Sequence, residues 1–351
     1  MGENKKSSNE SLKWYADNFS LYNEFAKRVC DIIEELLLLN GIKILSVTSR
    51  AKSQESFREK VNRMPSIEFK DIQDLAGVRV VAFVKSDLQK IENVLRSNFD
   101  FDENRTMDTS VRLEDNKLGY KSKHYVLKLS EDRIKLPEYN KFKNLYAEVQ
   151  VKTILQHAWA QIGHDSTYKN SSSLPIEISR DFNLLSGLLE IADNEFQRIT
   201  GEIERYGDEV DKKTNLGDYN IAIDSVSLRK YLEEITAGVE VVQPLFGPED
   251  KYISTIITEL NLMGIEKLED LRKIIPPDLK SKIKLPTNYL GLLRDLMIIH
   301  NGDKYFSSAW RNGWVVGENY NFSLLNEYGF NIDSLIEKYS VPDYRKPEAL
   351  K

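Results

Sequence analysis

Two segments far apart in the chain each place a carboxylate where a predicted strand can expose it. Asp74 precedes the apolar run of DLAGVRVVAF, and alternation in YAEVQVKT puts Glu148, Gln150 and Lys152 on one face of a strand. Carboxylates from two strands can share one Mg²⁺, because this cation prefers oxygen ligands and keeps room for water and phosphate. The pattern predicts Asp74 and Glu148 as ligands of a Mg²⁺ cofactor, with a solvent-facing sheet as the alternative.

Cations gather at a predicted helix start in SRAKSQESFREK. Ser53 is the predicted N-cap, Arg50 and Lys52 lie just before it, and Ser56 and Lys60 share one helical face. Free N–H groups at a helix N-terminus bind phosphate well when cations stand beside them. The segment therefore predicts a triphosphate site, and a solvated helix end with ordinary surface charge is the alternative.

The stretch GYKSKHYVLKL, which begins at Gly119, starts a predicted strand with ligand-like groups. Tyr120 offers an aromatic face, and Lys121, Ser122 and His124 offer hydrogen-bonding groups beside it. Stacking on an aromatic ring stabilises a bound base by about 1–3 kcal/mol. If this strand lies near the carboxylates, the segment predicts a nucleotide-binding site there.

Hydrophobic patterning predicts the elements that position these residues. Apolar residues at helical spacing predict a helix from Leu12 to Leu39. Strands are predicted in IKILSVTSR, DLAGVRVVAFV, GYKSKHYVLKL and LYAEVQVKTIL, and helices in SDLQKIENVLRSNF and LQHAWAQIGHDSTYKN. Strands and helices mixed over roughly residues 45–170 predict an α/β or α+β unit built on one central sheet.

The second half of the chain has a different pattern. A long helix is predicted from about Ile176 to Tyr206, followed by a charged, glycine-bounded linker in GDEVDKKTNLGDYN. Short amphipathic helices follow it. We therefore predict a first domain over residues 1–210 and a mainly helical domain over 218–351, for which a regulatory role is a hypothesis.

Composition limits the possible classes of protein. The 351 residues are 41% hydrophobic and 30% charged, as in a globular chain of two or three domains. The formal net charge of −6 provides no overall basic field for nucleic acid. The single cysteine, Cys30, excludes an intrachain disulfide and a cysteine-rich metal site. No signal-peptide or membrane-spanning pattern is found, so a cytoplasmic protein without a membrane partner is expected.

The order of the motifs resembles the synthetase domain of the RelA/SpoT family. The motifs R-x-K-x3-S-x3-K, D-L-A-G-V-R, G-Y-x-S-x-H, E-V-Q-V-K-T and H-A-W-A-x3-H-x3-Y-K follow one another, and the resemblance covers roughly residues 20–205. Enzymes of this family move pyrophosphate from ATP onto the ribose 3′-hydroxyl of GDP or GTP. The resemblance implies a (p)ppGpp synthetase similar to small alarmone synthetases, with an α+β, nucleotidyltransferase-like mixed sheet flanked by helices.

The resemblance also implies a role for each matching residue. Asp74 and Glu148 are the expected magnesium ligands, and Glu148 is also the expected base for the 3′-hydroxyl. Tyr120 is expected to stack on the acceptor base. The residues implied to bind ATP are Arg50, Lys52, Ser56, Lys60 and Arg79, and those implied to lie at the acceptor, with Tyr120, are Lys121, Ser122, His124 and Gln150. The implied partners are ATP and GDP or GTP, and a homo-oligomer is left open.

Two departures from the family pattern introduce an alternative acceptor. The family usually has a basic KDYI…PK stretch before the G-Y motif, whereas this chain has DTSVRLEDNKLGY, with Asp108, Glu114 and Asp115 among its charges. Lys152 also stands where the family usually has arginine, which loses a bidentate donor. Acidic groups repel a free pyrophosphate, so the alternative acceptor is the 3′ end of tRNA, as in toxin-type relatives.

Two other functions are less consistent with the sequence. The His-Asp pair in GHDS is found in metal-dependent alarmone hydrolases, but His157 and His164 belong to the synthetase-like helix motif. A regulatory module that has lost catalysis would have no reason to retain both Asp74 and Glu148. We therefore favour the synthetase.

Overall fold

The computed structural model describes residues 2–63, 72–108, 123–168, 175–246, 250–310, 316, 322–343 and 345. The chain divides into two compact units, residues 1–200 and 201–351. Within the described residues, no helix is both long and apolar enough to cross a membrane.

The first unit is built on one mixed sheet. Its strands are β1 (Ile44–Ala51), β2 (Ala76–Ala82), β3 (Phe99–Phe101), β4 (Met107–Asp108), β5 (Lys123–Leu129) and β6 (Ala147–Thr153). They are ordered β1-β2-β6-β5-β3, and β4 pairs with β5. Among the described strands of this sheet, only the β2–β6 pair is parallel, while β1, β3, β4 and β5 each pair antiparallel with a neighbour. The predicted α+β fold with a mixed sheet flanked by helices is confirmed.

Helices of the first unit flank this sheet. They are α1 (Gly2–Leu39), α2 (Gln54–Arg63), α3 (Lys85–Asn98), α4 (Glu131–Ile134), α5 (Ile154–Tyr168) and α6 (Ile176–Asn215), the last of which continues into the second unit. Helix α1 contributes five fully buried side chains to the core: Tyr15, Phe25, Val29, Ile33 and Leu37. The last four of these are spaced every four residues, as expected for one face of a helix. Each such side chain contributes roughly 1.5–3 kcal/mol by its removal from water.

Strand β6 sorts its side chains as its alternating sequence predicts. Ala147, Val149 and Val151 are buried in the core, whereas Glu148 and Gln150 face the other side and stay partly exposed. The strand ends at Thr153, whose hydroxyl donates to Asp193 Oδ2 at 2.7 Å, a buried bond to α6. The neighbouring Gln156 accepts the Thr153 N–H at 2.9 Å. The end of β6 is thus fixed to two helices by side chains.

Helix α6 extends beyond its predicted end. A linker was expected from Gly207, but the helix continues to Asn215. Lys230 packs across Gly207, where an added Cβ would lie 3.1 Å from Lys230 Cε. The helix ends instead at Gly217, which has φ +81° and donates to Thr214 O, while Asp218 N donates to Lys213 O. This is the glycine-terminated bonding pattern of a Schellman cap, so Gly217 stops the helix and Gly207 allows close packing.

The second unit is mainly helical, as predicted. Its helices are α7 (Ser225–Thr236), α8 (Ile253–Leu262), α9 (Leu268–Ile274), α10 (Leu279–Lys282), α11 (Tyr289–Lys304), α12 (Ser323–Glu327) and α13 (Ile332–Tyr339), and a short parallel pair joins β7 (Val242–Gln243) to β8 (Thr287–Asn288). Its core contains a buried ion pair in which Arg294 donates to both oxygens of Glu259 at 3.0 and 2.6 Å. Tyr305 also donates to Glu259, at 3.1 Å, so the buried carboxylate is well compensated.

Candidate active site

The sheet brings the two predicted carboxylates to one place. Asp74 lies in a single 3₁₀ turn, Gln73–Leu75, immediately before β2. In the parallel β2–β6 pair, Gly77 is the register partner of Glu148. Asp74 and Glu148 are both among the residues that line one cleft. One carboxylate from β6 and one from the turn before β2 therefore face that cleft.

Asp74 is held by two lysines from the preceding loop and helix. Lys52 Nζ lies 2.6 Å from Asp74 Oδ2, and Lys60 Nζ of α2 lies 2.8 Å from Asp74 Oδ1. Burial alone would raise the pKa of Asp74, but the hydrogen bonds from Lys52 and Lys60 outweigh it and lower the pKa below its ordinary value. The two lysines that were predicted to bind phosphate are thus paired with a predicted metal ligand.

Glu148 is held from its own strand and from β5. Gln150 Nε2 donates to Glu148 Oε1 at 2.7 Å, and His124 Nδ1 lies 3.3 Å from the same oxygen. His124 is there because it is the antiparallel register partner of Gln150. Burial opposes ionisation of Glu148, but the bonds from His124 and Gln150 keep its pKa below the ordinary value. The carboxylate is ionised at neutral pH and oriented by two neighbours.

A cationic wall adjoins the carboxylates. Arg50 and Arg79 come from β1 and β2, and Arg79 Nε is buried without a hydrogen-bond partner among the described residues. Burial and then the charge of Arg50 lower the pKa of Arg79. A buried, unpaired N–H is costly unless a ligand completes it. The wall is therefore suited to an anion.

Two further basic side chains lie beside this wall. Lys152 is 8% exposed, and burial followed by the charge of Arg79 lowers its pKa to about 8. The pKa of His157 on α5 is lowered by burial and then by Arg79 and Lys152. The sequence placed Lys152 on one strand face with Glu148 but predicted no site role for it, and it placed His157 in the synthetase-like helix motif. The available signal was the spacing of Lys152 from Glu148, since both lie on one face of β6.

The cleft itself has a volume of about 200 Å³. Its floor is the polar face of β1, β2 and β6. The residues lining it are Thr48, Ser49, Arg50, Asp74, Gly77, Val78, Arg79, Glu148, Gln150 and Gln161. Five lining residues were not predicted as site residues: Thr48, Ser49, Gly77, Val78 and Gln161, the last of which is on α5. The cleft collects five predicted residues: Arg50, Asp74, Arg79, Glu148 and Gln150.

Ser56 lies in the first turn of α2 and takes part in its cap. Ser53 Oγ accepts the Ser56 N–H at 3.1 Å and donates to Ser56 Oγ at 2.9 Å. This arrangement satisfies one of the free N–H groups at the helix start. Ser56 is not among the residues that line the cleft. Tyr120, Lys121 and Ser122, predicted at the acceptor, lie outside the described residues.

The donor atoms suit a hard divalent cation. Among the described residues, no group of three or more histidine, cysteine, aspartate or glutamate side chains could hold a metal. Asp74 and Glu148 remain as a pair of carboxylates in a cleft with room for an anion. Mg²⁺ is usually bound in this way, by one or two carboxylates with waters and substrate phosphates completing the octahedron. The two residues therefore fit the predicted cofactor.

Comparison with known proteins points to one family. The family model described as "Region found in RelA / SpoT proteins" matches residues 49–173. GTP pyrophosphokinase YjbM of Bacillus subtilis is 29% identical over 161 residues, which are 45% of this chain and 72% of that protein. GTP pyrophosphokinase YwaC of the same organism is 28% identical over 179 residues, which are 49% of this chain and 82% of that protein. The crystal structure of small alarmone synthetase 1 from Bacillus subtilis is 26% identical and covers 55% of this chain and 98% of that one, with a TM-score of 0.47.

Proposed function

We propose that this chain transfers pyrophosphate from ATP to the ribose 3′-hydroxyl of GDP or GTP, because residues 49–173 match the model of the region found in RelA/SpoT proteins. The observation that carries the proposal is the cleft in which Asp74 and Glu148 lie beside cations from three strands. Two similar proteins are named GTP pyrophosphokinases. Transfer of this kind needs positioning and charge neutralisation more than covalent chemistry, which is what the cleft offers.

ATP is proposed to occupy the cationic side of the cleft. Lys52 and Lys60 carry the charge that a triphosphate needs, and both reach the same point at Asp74. Arg50 and Arg79 extend from β1 and β2. The unpaired Arg79 Nε supports the binding there of an anion or of another ligand that accepts hydrogen bonds. Ser56 supports the helix start from which Lys60 extends.

The acceptor is proposed to enter beside Glu148. Gln150 and His124 hold this carboxylate, and Tyr120, Lys121 and Ser122 precede His124 by a few residues in the chain. Glu148 accepts the proton of the 3′-hydroxyl as that oxygen forms a bond to the β-phosphorus of ATP. The bond between this phosphorus and the oxygen bridging to the α-phosphate breaks, and AMP leaves with that oxygen.

Asp74 and Glu148 would hold Mg²⁺, which supplies charge neutralisation to the phosphate oxygens of ATP. Asp74 is engaged by Lys52 and Lys60 through one oxygen each. Each carboxylate oxygen has a second lone pair, so a metal contact is compatible with retention of a lysine contact. The chain's own contribution is to keep both carboxylates ionised and oriented toward the cleft.

The alternative acceptor is the 3′ end of tRNA. The acidic residues Asp108, Glu114 and Asp115 precede the predicted acceptor motif and disfavour a free pyrophosphate there. The nucleotide remains our first choice, because the formal net charge of −6 does not attract tRNA.

A labelling experiment tests the proposal and separates the two acceptors. The full chain is incubated with Mg²⁺ and γ-labelled ATP, together with GDP, GTP or tRNA in separate reactions. We expect label in the guanosine nucleotide and one AMP released for each product. Label in tRNA alone would show that tRNA, and not the guanosine nucleotide, is the acceptor. Absence of label in all three reactions would refute the proposed pyrophosphate transfer. Glu148→Gln is the inactive control.

A further inference from the structure

Tyr15 on α1 contacts the two segments that carry Lys52 and Lys60, from outside the region that the family model matches. Its ring is fully buried, and its hydroxyl donates to the backbone oxygen of Lys52 at 2.5 Å. Residue 15 precedes the matched region, which begins at residue 49. The contact joins the N-terminal helix to the residue whose ammonium pairs with Asp74.

The same ring also contacts the second lysine-bearing element. Tyr15 stacks on Phe57 of α2, with ring centroids 4.4 Å apart and planes 18° from parallel. Phe57 is itself fully buried, and Lys60 extends from the same helix one turn later. A single side chain of α1 thus sets the position of both segments that present cations to Asp74.

The peptide groups around Lys52 are fixed at two points. Its carbonyl accepts from Tyr15, and its N–H donates to Leu75 O at 3.0 Å, one residue after Asp74. Burial, and then the charge of Asp74, raise the pKa of Tyr15, so its hydroxyl remains a protonated donor. The backbone of Lys52 therefore has little freedom to move relative to the carboxylate.

We propose that Tyr15 is a positioning residue for ATP, which it serves by holding the backbone of Lys52 and the helix that carries Lys60. The inference rests on the proposed function. It assigns to helix α1 a part in the binding of ATP, which the hydrophobic pattern of this helix does not indicate. If Tyr15 served only for packing, its replacement by phenylalanine would leave the affinity for ATP unchanged.

Tyr15→Phe tests this because it removes the hydroxyl and keeps the ring stack. Tyr22→Phe is the matched control, since Tyr22 lies on the same helix, is 8% exposed, and its hydroxyl has no hydrogen-bond partner among the described residues. Binding of α,β-methylene ATP with Mg²⁺ is measured by calorimetry, because this analogue lacks the bond that breaks. We expect its Kd to rise about three- to tenfold in Tyr15→Phe, the effect of one hydrogen bond.

Steady-state kinetics add a second readout. The KM for ATP should rise by a similar factor, while kcat and the KM for the acceptor stay within about twofold of the parent. An unchanged Kd in Tyr15→Phe, with or without a lower Tm, would mean that Tyr15 is only structural and would overturn the proposal. An equal rise in both variants would also overturn it. If the unaltered chain binds no analogue, the proposed function fails together with the inference.

Discussion

Lys52 and Asp74 form an ion pair of 2.6 Å whose side chains are only 15% and 27% exposed. The pair joins a cation suited to phosphate with a carboxylate suited to a metal. The hydrogen bond from Lys52 helps to keep Asp74 ionised and in place before any ligand enters. Preorganised charge of this kind is the main resource of an enzyme that works by electrostatics.

Asp74→Asn should reduce transfer by at least about 100-fold, because it removes the charge of a proposed metal ligand and leaves Lys52 and Lys60 with a neutral partner. The free energy of unfolding should fall by only about 1–2 kcal/mol. Labelled-product formation and denaturant unfolding measure the two effects. Asp132→Asn is the control, since Asp132 pairs with Lys135 on the exposed surface and should change neither quantity. Near-normal transfer by Asp74→Asn would contradict the metal assignment.

Glu148→Gln should abolish transfer with little loss of stability. The amide can still accept from Gln150, but it can neither take a proton nor bind a metal as an anion. We expect kcat to drop by about two to four orders of magnitude. Binding of α,β-methylene ATP without metal should stay within about threefold, which would exclude misfolding as the cause. Glu195→Gln, in an exposed ion pair with Arg198, controls for the loss of a surface charge.

Lys152→Met should stabilise the protein at neutral pH and lose this advantage in alkali. The pKa of Lys152 is about 8 in the folded chain against an ordinary 10.5, because burial and the facing charges of Arg79 and Arg50 outweigh Glu148. Below pH 8 Lys152 is protonated in both the folded and the unfolded chain, and the folded chain bears the full free-energy cost of a buried ammonium group beside two arginines. Between pH 8 and 10.5 the folded chain releases its proton first, so the penalty disappears as the pH rises.

Urea unfolding of Lys152→Met and the parent at pH 7 and pH 10 measures this effect. The difference in unfolding free energy between the two proteins should shrink by about 3 kcal/mol, the value of a pKa difference of this size. The pKa of His157 is lowered by burial and then by Arg79 and Lys152, so in the parent chain this imidazole is mainly uncharged from pH 7 upward. A difference that is constant with pH would show that Lys152 is not a buried cation.

Tyr120→Ala should be severely impaired with either acceptor, and Tyr120→Phe should keep most activity, because stacking uses the ring face and not the hydroxyl. Lys121→Glu then separates the acceptors. It should strongly raise the KM for a free guanosine nucleotide, whereas binding of tRNA would depend steeply on salt and spread over many lysines. If Tyr120→Ala left both KM values unaltered, the ring would have no place at the acceptor base.

Much of the site was predictable because it depends on alternation and on helix starts. The faces of β6 and the cap at Ser53 follow from residue types a few positions apart. The pairing of Lys52 with Asp74 was not predictable, because it depends on which strands are neighbours across 22 residues of chain. The hydrogen bond from Tyr15 across 37 residues was missed for the same reason. The continuation of α6 past Gly207 was missed because a glycine used for close packing resembles one that ends a helix.

The fixed end of β6 makes the length of this strand more critical than its composition. Thr153 is bonded to Asp193 and Gln156, so a residue lost or gained between Ala147 and Thr153 cannot be absorbed by sliding the strand. A shift by one position would turn Glu148 and Gln150 into the core and bring the valines to the cleft. Single substitutions in this strand can therefore have small or large effects, depending on the residue. Any insertion or deletion, in contrast, removes Glu148 from the cleft and disrupts the core packing at the same time.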